Sequence, residues 1–267
     1  MKLAVVMSGM LRNFEHTFAT TKKYIFDDQF FETVDVFFAG YPGKKGVVYC
    51  EEKFVNYYKP KSYLLQDWGP DIEKEIEEQT GVSSWVNNPT NSKAMNIMSF
   101  WRCRFLANEL RKKYAAENNF EHDLVYNLRT DFFAFNNIDS LRATLAANDK
   151  NSVYVPEDWD FKSVNPICIG DPMAFGSASA MNKYFSLYQF AKTYKELGSP
   201  IHPETLLGNH FKYQNLNREY CDRNVAAEYP FSGGDTLKLW ESTWNKEEAF
   251  KAMSLAEKEI KHRYNFD

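Results

Sequence analysis

Apolar and polar positions alternate along this chain in two periods, one suited to strands and one to helices, and the two take turns. Leu3 to Val6 form a short apolar run that leads directly into Ser8-Gly9 and Arg12, after which Phe14 to Ile25 read as a helix. Val34 to Ala39 predict a second strand, stopped by Gly40-Tyr41-Pro42-Gly43, and Ser62 to Leu65 a third. Asp71 to Gln79 read as a solvated helical face. Ser92 to Ala116 give the strongest helical pattern, with Met95, Met98, Phe105 and Leu106 on an apolar face, Ser92 able to cap it, and Arg111, Lys112 and Lys113 suited to its C-terminal end. The run Leu124 to Leu128 then predicts a central strand that ends in Arg129-Thr130-Asp131.

Past that strand the pattern becomes mixed. Asp139 to Ala147 predict a helix, Ser152 to Val155 a strand, Asp158 to Asn165 a loop, and Met173 to Ser177 a strand closing into a helix over Ala178 to Tyr194. Another helix starts at Pro203, since proline is tolerated in a first turn. Ser232-Gly233-Gly234 read as a linker to a helix over Lys246 to His262. The expected architecture is α/β: an open, mainly parallel central sheet flanked by helices, with a mixed second half and a C-terminal helix. The expected division is a domain over residues 1–231 and a linker with a helical appendage over 232–267.

Composition narrows the function classes. A chain of 267 residues with 44% hydrophobic content can bury a substantial core without staples. Cys50, Cys103, Cys168 and Cys221 lie far apart with no CxxC spacing, and no signal-peptide core follows Met1, so a reduced, cytoplasmic protein is expected. No apolar run approaches the roughly 20 residues of a transmembrane helix. A net charge of -4 gives no general electrostatic reason to bind nucleic acid. The aromatic content of 16% suits a carbohydrate or nucleotide site as well as a core, and Tyr41, Trp68, Trp159 and Phe175 are candidates to line sugar or base surfaces.

The chemistry-bearing residues fall in four clusters, each at a strand end or helix start, where open sheets collect ligands. Ser8, Gly9 and Arg12 form a turn suited to an anion. Arg129 and Asp131 read either as an ion pair capping a strand or as a diphosphate site, with Asp131 on a divalent metal because hard cations prefer carboxylate and phosphate oxygens. Asp171 is a turn residue before a proline, or a second carboxylate toward an acceptor. His202 and Glu204 serve a helix start electrostatically, or else Glu204 takes a proton from an acceptor hydroxyl while His202 binds a phosphate or completes a metal site.

Taken in order, VMSGMLRNFE, VYNLRTDFF, GDPMAFGSASAMNKY and HPETLL resemble a family of small glycosyltransferases with a GT-A-like, nucleotide-diphospho-sugar transferase fold, over roughly residues 1 to 212. The resemblance implies a nucleotide-sugar donor, such as a UDP-sugar, and a glycan or lipid-linked acceptor. It places Ser8, Gly9 and Arg12 near the donor nucleotide and RTD at the metal motif; together with the reading of the residues, Tyr41 and Arg129 are expected on the donor, Asp131 and His202 on Mn²⁺ or Mg²⁺, and Glu204 or Asp171 as the catalytic carboxylate. RTD stands where the family carries a DxD metal motif, so one carboxylate replaces two, and Arg129 itself could offset diphosphate charge through its two-pronged geometry. Two other functions share such a cleft: a sugar-phosphate nucleotidyltransferase, against which the turn has one glycine and one arginine, and a catalytically silent nucleotide-sugar or glycan-binding module.

Overall fold

A computed structural model describes residues 1–11, 14–44, 47–48, 50–83, 94–134, 136–156, 169–171, 173–221 and 225–226. The linker at Ser232, the helix expected over Lys246 to His262, the loop from Asp158 and the residues Arg12, Ser92 and Trp159 lie outside the described residues.

In chain order the elements are β1 (Lys2–Met10), α1 (Phe14–Thr21) with a π-helical turn at Lys22–Phe26, β2 (Thr33–Tyr41), β3 (Gly43–Lys44), β4 (Val47–Val48), α2 (Glu51–Tyr58), β5 (Ser62–Leu65) and α3 (Pro70–Thr80). There follow α4 (Ala94–Glu117), β6 (Leu124–Arg129), β7 (Phe133–Ala134), α5 (Ser140–Asn148), β8 (Ser152–Pro156), β9 (Ala174–Gly176), α6 (Ala178–Phe185), α7 (Leu187–Glu196), α8 (Pro203–Tyr213), β10 (Asn217–Cys221) and β11 (Val225–Ala226). Seven strands make one sheet in the order β10-β8-β9-β6-β1-β2-β5. All neighbours pair in parallel except β9, which runs antiparallel to both β6 and β8. This is the expected open, mainly parallel α/β sheet with a mixed second half.

Alternation along β1 builds a core on each face, because successive side chains point to opposite sides. Ala4 and Val6 join a core with Trp101 and Met98 of α4, Tyr184 of α6 and Leu206 of α8. Leu3, Val5 and Met7 join the other with Phe14 of α1, Phe54 of α2 and Ala143 of α5. With both faces covered, the central strands read as continuous apolar runs rather than alternating ones.

Two elements depart from the sequence reading for identifiable reasons. The helix expected over Ala178 to Tyr194 is two helices, because the Lys183 carbonyl accepts from His210 Nε2 at 2.6 Å, Ser186 Oγ at 2.7 Å and Ser186 N at 3.1 Å. Those donors tighten the turn and end α6 at Phe185. The helix expected over Phe14 to Ile25 is α-helical only to Thr21 and then widens into the π-helical turn. Among the described residues no helix is long and apolar enough to cross a membrane.

Candidate functional site

The strand order reverses between β1 and β6: from β1 the chain builds outward through β2 and β5, and from β6 it builds the other way. Open sheets bind ligands in the crevice beyond the carboxyl ends of the strands at such a point. Here that crevice is bounded by Ser8, Gly9 and Met10 of β1 and by Arg129 of β6 with the Thr130-Asp131 turn that follows.

Gly9 and Gly40 lie side by side in the β1–β2 register. Gly9 has φ +104°, a left-handed conformation that favours glycine, and a Cβ on Gly40 would stand 1.7 Å from the Gly9 carbonyl oxygen. Both glycines are therefore required for the two strands to approach at the crevice. Leu11 N donates to the Tyr41 carbonyl at 3.0 Å, holding the chain as it leaves β1. Thr130 Oγ1 donates to the Met10 carbonyl at 3.0 Å, and Thr17 Oγ1 donates to the Thr130 carbonyl at 2.6 Å. The RTD turn is thus tied to both β1 and α1.

Within that turn Arg129 Nε and Nη2 donate to the two oxygens of Asp131, each at 2.8 Å. The carboxylate is almost wholly buried, whereas about a fifth of the arginine side chain remains exposed. The guanidinium also lies 4.8 Å from the Phe132 ring centre and 5.6 Å from that of Phe100. The ion pair anticipated from the sequence is therefore present, in the two-pronged geometry that makes arginine–carboxylate contacts strong.

Phe100, on α4, joins this half of the crevice to the next. Its ring would contact a Cβ on Gly9 at 3.8 Å, and the Arg104 guanidinium stacks over it at 3.9 Å. Arg104 is fully buried, lies 4.4 Å from the Trp101 ring centre, and donates from Nη1 to Asp171 Oδ2 at 3.2 Å. Its Nη2 donates to the Asp171 carbonyl. Sequence reasoning passed over both Phe100 and Arg104, because a ring and an arginine inside a helical pattern read as core and solvated face. Only the burial of Arg104 beside a carboxylate reveals its role.

Asp171 lies in the segment entering β9. Because β9 runs antiparallel, its entry and not its exit lies at the carboxyl ends of β6 and β8. Ile169 N donates to the Glu204 carbonyl at 3.1 Å, which fixes this segment against the start of α8. His202 is the residue before the first helical turn of α8 and Glu204 lies within that turn. His202 Nδ1 stands 3.3 Å from Glu204 Oε2 and 3.2 Å from Thr205 Oγ1. Only the second contact has hydrogen-bond geometry, and among the described residues Glu204 Oε2 has no hydrogen-bond partner.

Burial, and secondarily the negative charge of Asp171, push the Glu204 carboxyl up to about 7. Burial likewise holds His202 below its ordinary range, opposed by Asp171, so the imidazole is neutral at pH 7. A carboxyl that exchanges its proton near neutrality is suited to general acid–base chemistry.

Asp171, His202 and Glu204 therefore meet at one end of the sheet, as do Ser8, Gly9, Arg129 and Asp131. Ser8 Oγ and both polar atoms of the Asn127 amide are buried without partners among the described residues, on the sheet face covered by α4. Tyr41 is buried on that same face, with its ring 5.3 Å from Trp68 and its hydroxyl accepting from Ser99 Oγ at 3.4 Å. Phe175 departs from expectation. It is buried in the opposite core, stacked on Tyr154 at 5.1 Å. Asp131 and His202 are held by separate partners, and among the described residues no group of three His, Cys, Asp or Glu gathers in a metal-binding cluster.

No protein-family model matches this sequence, and no curated protein does. Among solved structures the chain is similar to mouse xyloside xylosyltransferase 1 in its apo form, at 10% identity and a TM-score of 0.46, covering 83% of this chain and 86% of that one. It is also similar to the galactosyltransferase LgtC in complex with donor and acceptor sugar analogues, at 9% identity and a TM-score of 0.43, covering 79% of this chain and 70% of that one.

Proposed function

We propose that this protein is a glycosyltransferase that moves a sugar from a nucleotide-diphospho-sugar to a glycan or lipid-linked acceptor, with Glu204 as the general base. The observation that carries this reading is the Glu204 carboxyl, buried beside Asp171, raised to about 7, and placed across Phe100 and Arg104 from the arginine-bearing crevice. Glycosyl transfer needs both halves. One must stabilise negative charge on a leaving diphosphate, and the other must remove a proton from an incoming hydroxyl.

In the reaction the acceptor oxygen bonds to the anomeric carbon as the bond from that carbon to the phosphate oxygen breaks. The electron pair leaves with the diphosphate, toward Ser8, Gly9 and Arg129. The hydroxyl proton passes to Glu204, whose carboxyl exchanges its proton near neutrality. A single displacement of this kind inverts the anomeric configuration. Asp171 serves differently: Arg104 engages its Oδ2 and carbonyl, and its charge raises the proton affinity of Glu204.

Glu204→Gln tests the assignment, since it keeps the shape and removes the base. The expected result is loss of sugar transfer with nucleotide binding and folding intact. Nucleotide binding with no turnover in the wild-type protein would instead identify a silent binding module. Full turnover in the variant would remove Glu204 from the reaction.

A further inference from the structure

The donor half of the crevice carries a feature at odds with the metal expected on Asp131. A divalent cation bound through a carboxylate needs an open oxygen and room for several further oxygen ligands, usually waters. Both oxygens of Asp131 already accept from Arg129, and the carboxylate is 3% exposed. His202, the other residue expected on the metal, lies with Glu204 at the start of α8, and among the described residues it does not gather with Asp131 in a cluster of metal ligands. The donor set does not fit a hydrated divalent ion. It fits the cation that is already covalently part of the chain.

Building on the glycosyltransferase reading, we infer that Arg129 takes the place of the metal, so that the donor diphosphate binds this protein without a divalent cation. Asp131 is then a positioning residue. By engaging Nε and Nη2 it fixes the plane of a guanidinium whose side chain is 21% exposed at the crevice. Phe132 and Phe100 stack near that plane and limit its rotation. The neighbouring backbone is held as firmly, since Thr130 is bonded at both its hydroxyl and its carbonyl. A pre-oriented guanidinium loses little freedom when it binds phosphate, and while Asp131 takes the Nε–Nη2 edge, a guanidinium presents a second edge through Nη1 and Nη2 whose geometry matches two phosphate oxygens.

Isothermal titration of the wild-type chain with UDP, GDP and dTDP, each in EDTA and in Mn²⁺, tests this directly and needs no variant to fold. The expected result is that a nucleoside diphosphate binds with the same affinity in both buffers. Arg129→Ala should weaken that binding roughly ten- to hundredfold, the range for losing charge-assisted hydrogen bonds. Arg129→Lys should recover only part of it. Asp131→Asn keeps the side-chain shape but not the charge that orients Arg129, and should weaken binding equally in EDTA and in Mn²⁺. Binding seen only in Mn²⁺, and abolished by Asp131→Asn, would overturn the inference and leave the glycosyltransferase reading standing. Absence of binding by all three nucleotides in both buffers would instead bring down the donor reading, and this inference with it.

Discussion

Replacing Glu204 by glutamine should make the protein more stable at pH 8 and leave its stability nearly unchanged at pH 4. The carboxyl titrates near 7 in the folded chain against an ordinary value of 4.5. Between those values the folded state holds a proton that the unfolded chain has released, so rising pH favours unfolding. At about 1.4 kcal/mol per pH unit the gap amounts to about 3 kcal/mol. The part of the side chain that still meets solvent screens the charge and reduces this to about 2 kcal/mol. The contribution is fully present below pH 4.5 and gone above about 7. A difference of that size moves the melting temperature of a domain of this length by roughly 4–8 °C. Parallel melting-temperature profiles of wild type and Glu204→Gln from pH 4 to 8 should therefore converge at the acid end and separate at the alkaline end. Profiles separated by a constant amount, or converging at pH 8, would refute the assignment of a raised carboxyl. The same variant should lose about 10²–10⁴-fold in kcat, the span typical of removing a general base, so that stability and turnover move in opposite directions.

Other expectations follow from neighbouring contacts. Arg104→Met strips the buried Asp171 carboxylate of its partner and should cost about 3–5 kcal/mol in urea unfolding. Because Arg104 also holds the Glu204 carboxyl down, the acid limb of kcat/KM should move to higher pH in any folded fraction. Gly40→Ala drives a methyl group into the Gly9 carbonyl and should destabilise by about 1–3 kcal/mol or more, read as a lower denaturant midpoint. Burial lowers His210 to about 4, with Nε2 donating to Lys183 and Nδ1 accepting from Tyr194 at 2.6 Å. A ring held neutral in the fold removes stability as pH falls from 6.5 to about 4, the reverse of Glu204. An NMR titration should show the His210 ring unprotonated at pH 5.

The strands that build the crevice were legible because they are buried on both sides. Leu3 to Val6 is an unbroken apolar run and Leu124 to Leu128 is interrupted only by Asn127, so these strands have no alternating polar face to disguise them. The edge was not legible. β10, Asn217–Cys221, is largely polar, as suits a strand with one open side, and carries no alternating pattern to find. α2 was also missed, because its eight residues show apolar positions only at Phe54, Val55 and the two tyrosines. It is held by Phe54 and Tyr58 packing on Phe14, a contact across forty residues of chain that local periodicity does not register. At the site, the types of residue could be read but not their partners. RTD spells an arginine and an aspartate two apart on a strand exit, where side chains can turn to meet each other or a ligand. The fold turns them toward each other.

The reversed direction of β9 divides the crevice along the sequence as well as in space. One wall lies between Ser8 and Asp131 in the chain, the other between Asp171 and Glu204, and at the crevice Arg104 of α4 bridges them. Behind the crevice the two segments are knitted together, since β9 pairs with both β6 and β8 and Asn182 of α6 accepts from Asn108 and Arg111 of α4. A chimera that imports the second segment alone would therefore leave those buried donors of α4 without their acceptor, and has to carry a matching α4 with it.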